Sequence, residues 1–162
     1  MFLWVTGLCY AQAVSPIRFE YLNVAQFSTN VSDSRSLAAS FAMAPGVCFS
    51  DKFVLSVPAK MNMYSLSRPQ SEASYDIMVG LSAAYRYGSV DIEASHLFGV
   101  WYSDLGQMET GLSLIFNRGK KDRTSFYKVG VSYLTPYLKE NKGGVFVSAG
   151  LGLRFSLAKR SN

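Results

Sequence analysis

Apolar and polar residues alternate with period two along most of this chain. The last run is the clearest: Val145, Val147, Ala149, Leu151, Leu153, Phe155 and Leu157 share one face, and Phe146, Ser148, Gly150, Gly152, Arg154 and Ser156 share the other. Period two over so long a run predicts a strand, because a helix would repeat near 3.6 residues. Seven further runs behave alike, over residues 17–21, 37–49, 53–63, 75–87, 90–102, 108–116 and 127–133. Turn-forming residues separate them. Several reach the roughly 9–11 residues that a tilted strand needs to cross a bilayer, and no stretch approaches the ~20 apolar residues that a spanning helix needs. The pattern predicts an all-β chain of eight antiparallel strands in one domain over residues 14–162.

Charge follows the alternation. Over the eight runs, 46 positions fall in the apolar phase and none is Asp, Glu, Lys or Arg. The 38 positions of the other phase hold ten charges: Arg18, Glu20, Lys60, Asp76, Arg86, Asp91, Glu93, Glu109, Lys128 and Arg154. Five are positive and five negative, and 19 of the 38 residues are Gly, Ala or Ser. Alternation alone does not say which face is inside, since a soluble lipocalin-like barrel alternates too, with its apolar face around a ligand. A water-facing surface favours long charged side chains. A narrow enclosed lumen needs small side chains and a balanced set of charges, because unpaired buried charge is expensive. The polar phase therefore points in and the apolar phase out. Tyr75, Tyr85, Tyr87, Tyr102, Tyr127 and Tyr133 lie near run ends, as the aromatic girdles of a membrane barrel do. The expected architecture is an eight-stranded antiparallel up-and-down transmembrane β-barrel. A soluble exported small-ligand carrier is the competing reading, and a narrow pore is a third.

Composition fits this picture. The chain is 49% hydrophobic but only 17% charged, which excludes intrinsic disorder. Its start, Met1 to Ala13, is short and apolar and ends in Ala11-Gln12-Ala13, the small-x-small pattern of a secretory signal, although it lacks a basic leading segment. Cleavage after Ala13 would leave Cys48 as the one cysteine, with no disulfide framework. An even strand number puts both termini on one side. The tight turns 50–52 and 87–89 then share that side, and the longer connections 28–36, 65–74 and 134–144 lie opposite, where outer-membrane barrels carry their loops. The lumen charges cancel, so the formal +5 reduces to one turn (Arg118, Lys120, Lys121, Arg123, offset by Asp122) and one tail (Lys159, Arg160). Parity places both on the rim of the termini. Such a basic rim suits anionic headgroups or an acidic partner. No basic face is interleaved with stacking aromatics, so nucleic acid is not an expected partner.

These features resemble the small eight-stranded outer-membrane β-barrel proteins of Gram-negative bacteria. The resemblance rests on the signal-like start, the eight alternating runs, and the last run carrying Phe155, which is similar to the family's C-terminal signal for insertion. Seven residues follow that aromatic here, Ser156 to Asn162. The resemblance implies a bacterial outer-membrane location, contact with membrane lipid, insertion by the barrel-assembly machinery through the last strand, and a monomer with loops displayed outside. It identifies no loop ligand, and fold alone does not set function. Some such barrels modify lipid A with a His-x-Ser pair and a later Glu on the outer wall. Here His96 is followed by Leu97 and Phe98, and Glu109 falls in the lumen phase. A nucleophile, base and orienting group within mutual reach are therefore not in place. No catalytic, cofactor-binding or metal-binding residue is expected. His96 is expected at a membrane interface or beside a bulge in its strand.

Overall fold

The computed structural model describes residues 17–31, 36–66, 74–101, 107–119, 123–136 and 144–157. The signal-like start, Tyr102, Lys120, Lys121, Lys159 and Arg160 lie outside the described residues.

The described chain is all β: β1 (Arg18–Asn30), β2 (Ser36–Phe49), β3 (Phe53–Ser56), β4 (Ala59–Leu66), β5 (Ser74–Tyr87), β6 (Val90–Trp101), β7 (Gln107–Arg118), β8 (Arg123–Pro136) and β9 (Gly144–Leu157). Strands β3 and β4 are two halves of one stave, divided at Val57-Pro58. Both pair with β2 on one side and β5 on the other. The division has a simple cause: Pro58 has no N–H to give to the ladder. The surrounding backbone closes the gap, with Val57 N donating to Pro45 O at 2.9 Å and Gly80 N donating to Pro58 O at 3.1 Å. The result is eight staves, each antiparallel to its chain neighbours, and β9 pairs back onto β1 to close the sheet.

The pairing also sets the stagger. Lateral partners lead from Phe19 through Val47, Leu55, Ala83, Ala94, Leu112, Val131 and Val147, and return to β1 at Thr29, ten residues above the start. With a rise of about 3.3 Å per residue and strands about 4.8 Å apart, that stagger tilts the strands by roughly 40°, inside the usual range for closed barrels.

The two faces sort as the alternation predicts. Outward-facing residues with large exposure include Leu81, Ile92, Leu112, Leu114, Val129, Leu151 and Leu153 across the middle of the wall. Aromatic residues gather toward the ends: Phe49, Phe53, Tyr87 and Phe116 near the tight turns, and Tyr75, Phe98 and Tyr133 toward the opposite rim. Strand β1 runs well past the expected boundary at residue 21. Its middle turns apolar Leu22 and Val24 inward and Asn23 outward, so the hydrophobic alternation breaks there although the strand continues.

Two connections at one end are tight. Ser50 and Asp51 both adopt left-handed backbone (φ 53° and 57°), and Lys52 N donates to Phe49 O at 3.2 Å. Two consecutive left-handed residues define the mirror-type turn whose twist matches a hairpin. At the second, between β5 and β6, Gly88 takes φ 61°. The one register shift in the β5–β6 pairing lies between Ile77↔Trp101 and Met78↔Gly99. His96 lies away from it, in regular register with Leu81 and Thr110.

Beside the Pro58 break, Gly80 faces inward and β6 passes close to it. A Cβ there would meet His96 O at 2.0 Å and the Leu97 Cα at 2.7 Å, both backbone atoms that no side-chain rotation can move. Gly80→Ala should therefore destabilise the barrel by about 1–3 kcal/mol, read as a lower midpoint of urea unfolding in micelles.

Candidate functional site: the lumen charge network

The inward face carries seven buried charged residues among those described: Glu20, Lys60, Asp76, Asp91, Glu93, Glu109 and Arg154. Arg86 and Lys128 are partly buried beside them. Alternation places each on the inner face, and the closed sheet then brings together residues far apart in sequence.

Near the tight-turn end, four side chains from β1, β5, β6 and β9 form a ring of alternating sign. The Arg86 guanidinium donates from Nη2 to Glu20 Oε2 at 2.9 Å and from Nε to Asp91 Oδ1 at 3.3 Å. Arg154 donates from Nη2 to Asp91 Oδ2, and its Nε lies 3.6 Å from Glu20 Oε2. Each arginine thus touches both carboxylates and each carboxylate both arginines, so the ring sums to zero. Asn117 on β7 joins it, accepting from Arg154 at 2.8 Å and donating to Asp91 at 3.0 Å. Asp91 is wholly buried, and such a group is tolerated only when paired and hydrogen-bonded.

Beside the ring sits apolar packing that the polar label of this phase concealed. Leu22, Val24, Ile115 and Phe126 form one buried cluster, and Cys48, Val54 and Ala84 another. The Phe126 ring fits because the facing residue is Gly152, where a Cβ would fall 2.2 Å from Phe126 Cζ. Arg154 in turn lies over that ring, 5.8 Å from its centroid, a cation–π placement.

Higher in the lumen, Lys128 Nζ donates to Glu93 Oε1 at 2.7 Å, and Lys60 Nζ donates to both oxygens of Glu109 at 2.8 and 2.7 Å. The second pair joins β4 to β7 across the barrel. Asn62 donates to Asp76 at 2.8 Å. Small residues line the space between: Ser56 and Ser82 share a hydrogen bond at 2.6 Å, and Ser95, Gly111, Ser113 and Ser132 leave a cavity of about 40 Å³.

The ten charges do not all meet. Arg18 leaves the interior and pairs with Asp51 of the tight turn at 2.6 Å, on the rim and partly exposed. The strand register that keeps Arg18 on the inner face also places it at the first residue of β1, where the lumen opens. Of the basic rim, Arg118 ends β7 and donates to the Tyr127 hydroxyl at 3.1 Å, while Arg123 opens β8.

The sequence reading did not foresee a polar pair on the outer wall. His96 Nδ1 and Thr110 Oγ1 share a hydrogen bond at 2.7 Å, and Phe98 meets the imidazole edge-on at 4.6 Å between centroids. The signal was there in the two polar members of adjacent apolar phases. Their cross-strand register was what the sequence withheld. Glu109 points the other way, into the lumen, so no carboxylate of that strand orients His96.

Lys60→Met should cost about 3–5 kcal/mol of stability, because it leaves the Glu109 carboxylate buried and unpaired; Lys60→Met/Glu109→Leu should regain most of that loss. Urea unfolding of the two variants in micelles, followed by tryptophan fluorescence, gives the comparison.

No protein-family model matches the chain, and no curated protein matches it. Among solved structures, the chain is similar to the N-terminal β-barrel domain of Pseudomonas aeruginosa OprF, at 15% identity and a TM-score of 0.48, covering 84% of this chain and 97% of that one. It is also similar to Neisserial surface protein A (NspA), at 12% identity and a TM-score of 0.49, covering 87% of this chain and 97% of that one.

Proposed function

We propose that this chain is an integral β-barrel protein of a bacterial outer membrane, with a lumen closed by paired charges and a non-enzymatic role in membrane structure or in contacts made through its outer loops. One observation carries the reading: the polarity of the molecule is inverted. Along the staves the outward positions are chiefly Leu, Val, Ile, Phe, Met and Tyr, many of them about half exposed, while Asp91 is wholly inaccessible and Glu20 and Lys60 nearly so. Water cannot favour such a surface, and lipid can. A soluble carrier of the lipocalin kind would need its apolar phase around the ligand, and here that phase faces out.

The interior supports closure. Between the ion pairs the lumen holds cavities of about 40 and 10 Å³. A water needs roughly 10–15 Å³ by this measure, so these spaces suit a few ordered waters and no solute. The expected partners are membrane lipid around the wall, the insertion machinery at β9, anionic headgroups or an acidic partner at the basic rim, and ligands of the outer loops.

Two measurements test the proposal. The protein should stay with membranes until detergent is added and run at two mobilities before and after heating. Leu153→Arg should reduce the folded form, since a cation on the lipid face costs up to about 2–4 kcal/mol at midplane. Recovery in a detergent-free soluble fraction would overturn the membrane assignment. In a planar bilayer the folded protein should give no single-channel steps, and steady steps would replace the closed lumen with a narrow pore.

A further inference from the structure

We propose that the outer wall at β6–β7 is a self-association surface, through which two copies of this chain pair by reciprocal His96–Thr110 hydrogen bonds. The inference rests on the membrane reading above and departs from the monomer that the family resemblance implies. His96 lies in the middle of β6, six residues from Val90 and five from Trp101, on the exposed face. A titratable side chain at such a depth marks a functional site by default. Its lipid-facing neighbours Leu81, Phe98 and Leu112 are apolar and exposed.

The hydrogen bond to Thr110 uses only half of what the pair can do. A neutral imidazole has one N–H donor and one acceptor nitrogen, and a hydroxyl has one donor and two lone pairs. If Thr110 donates to Nδ1, the Nε2–H remains a donor and the Thr110 oxygen an acceptor. If Nδ1–H donates to Thr110, Nε2 becomes the acceptor and the hydroxyl the donor. Either tautomer leaves one donor and one acceptor facing outward. That set is complementary to itself, as a two-fold interface requires.

Depth selects the occupant. The hydrocarbon core is about 30 Å thick, so lipid headgroup atoms sit about 15 Å from the middle of the wall. A second copy related by an axis along the membrane normal brings its own His96 and Thr110 to the same level. The wall's shape agrees. A shallow, open apolar stretch of wall lies beside the polar pair on its β7–β8 side, formed by Ile92, Leu112, Leu114, Val129, Val131 and Val147. On the β5 side projects Leu81, 60% exposed. A two-fold axis near His96 carries one side onto the other, laying Leu81 of each copy against the apolar stretch of its mate.

Sedimentation equilibrium of the folded full chain in density-matched micelles tests this. The parent should show a monomer–dimer equilibrium. His96→Leu and Thr110→Val should each weaken association by about tenfold or more, as loss of paired intramembrane hydrogen bonds implies, while Asn23→Leu on the opposite wall leaves it unchanged. Heat-modifiable mobility of each variant shows that it is folded and inserted, which separates failure of this surface from failure of the membrane reading. A monomer at every protein-to-detergent ratio, or a dimer indifferent to both substitutions, overturns the proposal.

Discussion

Closure of eight staves with a ten-residue stagger is the constraint on which the rest of the structure depends. It fixes the width of the interior, and at eight strands that interior is only just wide enough for side chains to fill. Every inward position must then be small, or paired, or packed against a gap left by a neighbour. The serines and glycines of the central layer answer the first demand, the Arg86–Glu20–Arg154–Asp91 ring the second, and Phe126 over Gly152 the third. Closure also leaves no free sheet edge, so no partner can add a strand to the wall.

The same constraint explains why charge is balanced where it is. A buried pair gains strength from the low dielectric around it but must offset the loss of water on both partners. The ring near the tight turns meets that condition by sharing: two guanidiniums and two carboxylates balance one another in charge, and Asn117 adds a hydrogen bond to Arg154 and one to Asp91. Lys60–Glu109 and Lys128–Glu93 repeat the solution higher up with single pairs. Lys60–Glu109 spans the lumen from β4 to β7, and Lys128–Glu93 bridges β8 and β6 past the intervening β7.

On the proposed membrane reading, the outer wall is governed by a different solvent. Lipid tolerates aliphatic side chains of any shape, so the middle of the wall is free to be simple, with aromatics drawn to its two ends. Against that background the His96–Thr110 pair stands out, because each partner compensates the other for lost water and both keep hydrogen-bonding capacity to spare.

Much of this was determined by the sequence itself. The eight runs, the face each residue takes and the absence of charge from the outer face follow from local alternation, because a strand turns successive side chains to opposite sides whatever its neighbours do. Strand ends were read less well where apolar residues turn inward, as Leu22 and Val24 do in the middle of β1, and the break at Pro58 passed unnoticed within an otherwise regular run. What only the tertiary structure decided is partnership. That Lys60 meets Glu109, that Arg18 leaves for Asp51, and that His96 faces Thr110 depend on register and stagger, which arise when the sheet closes and which no local pattern encodes.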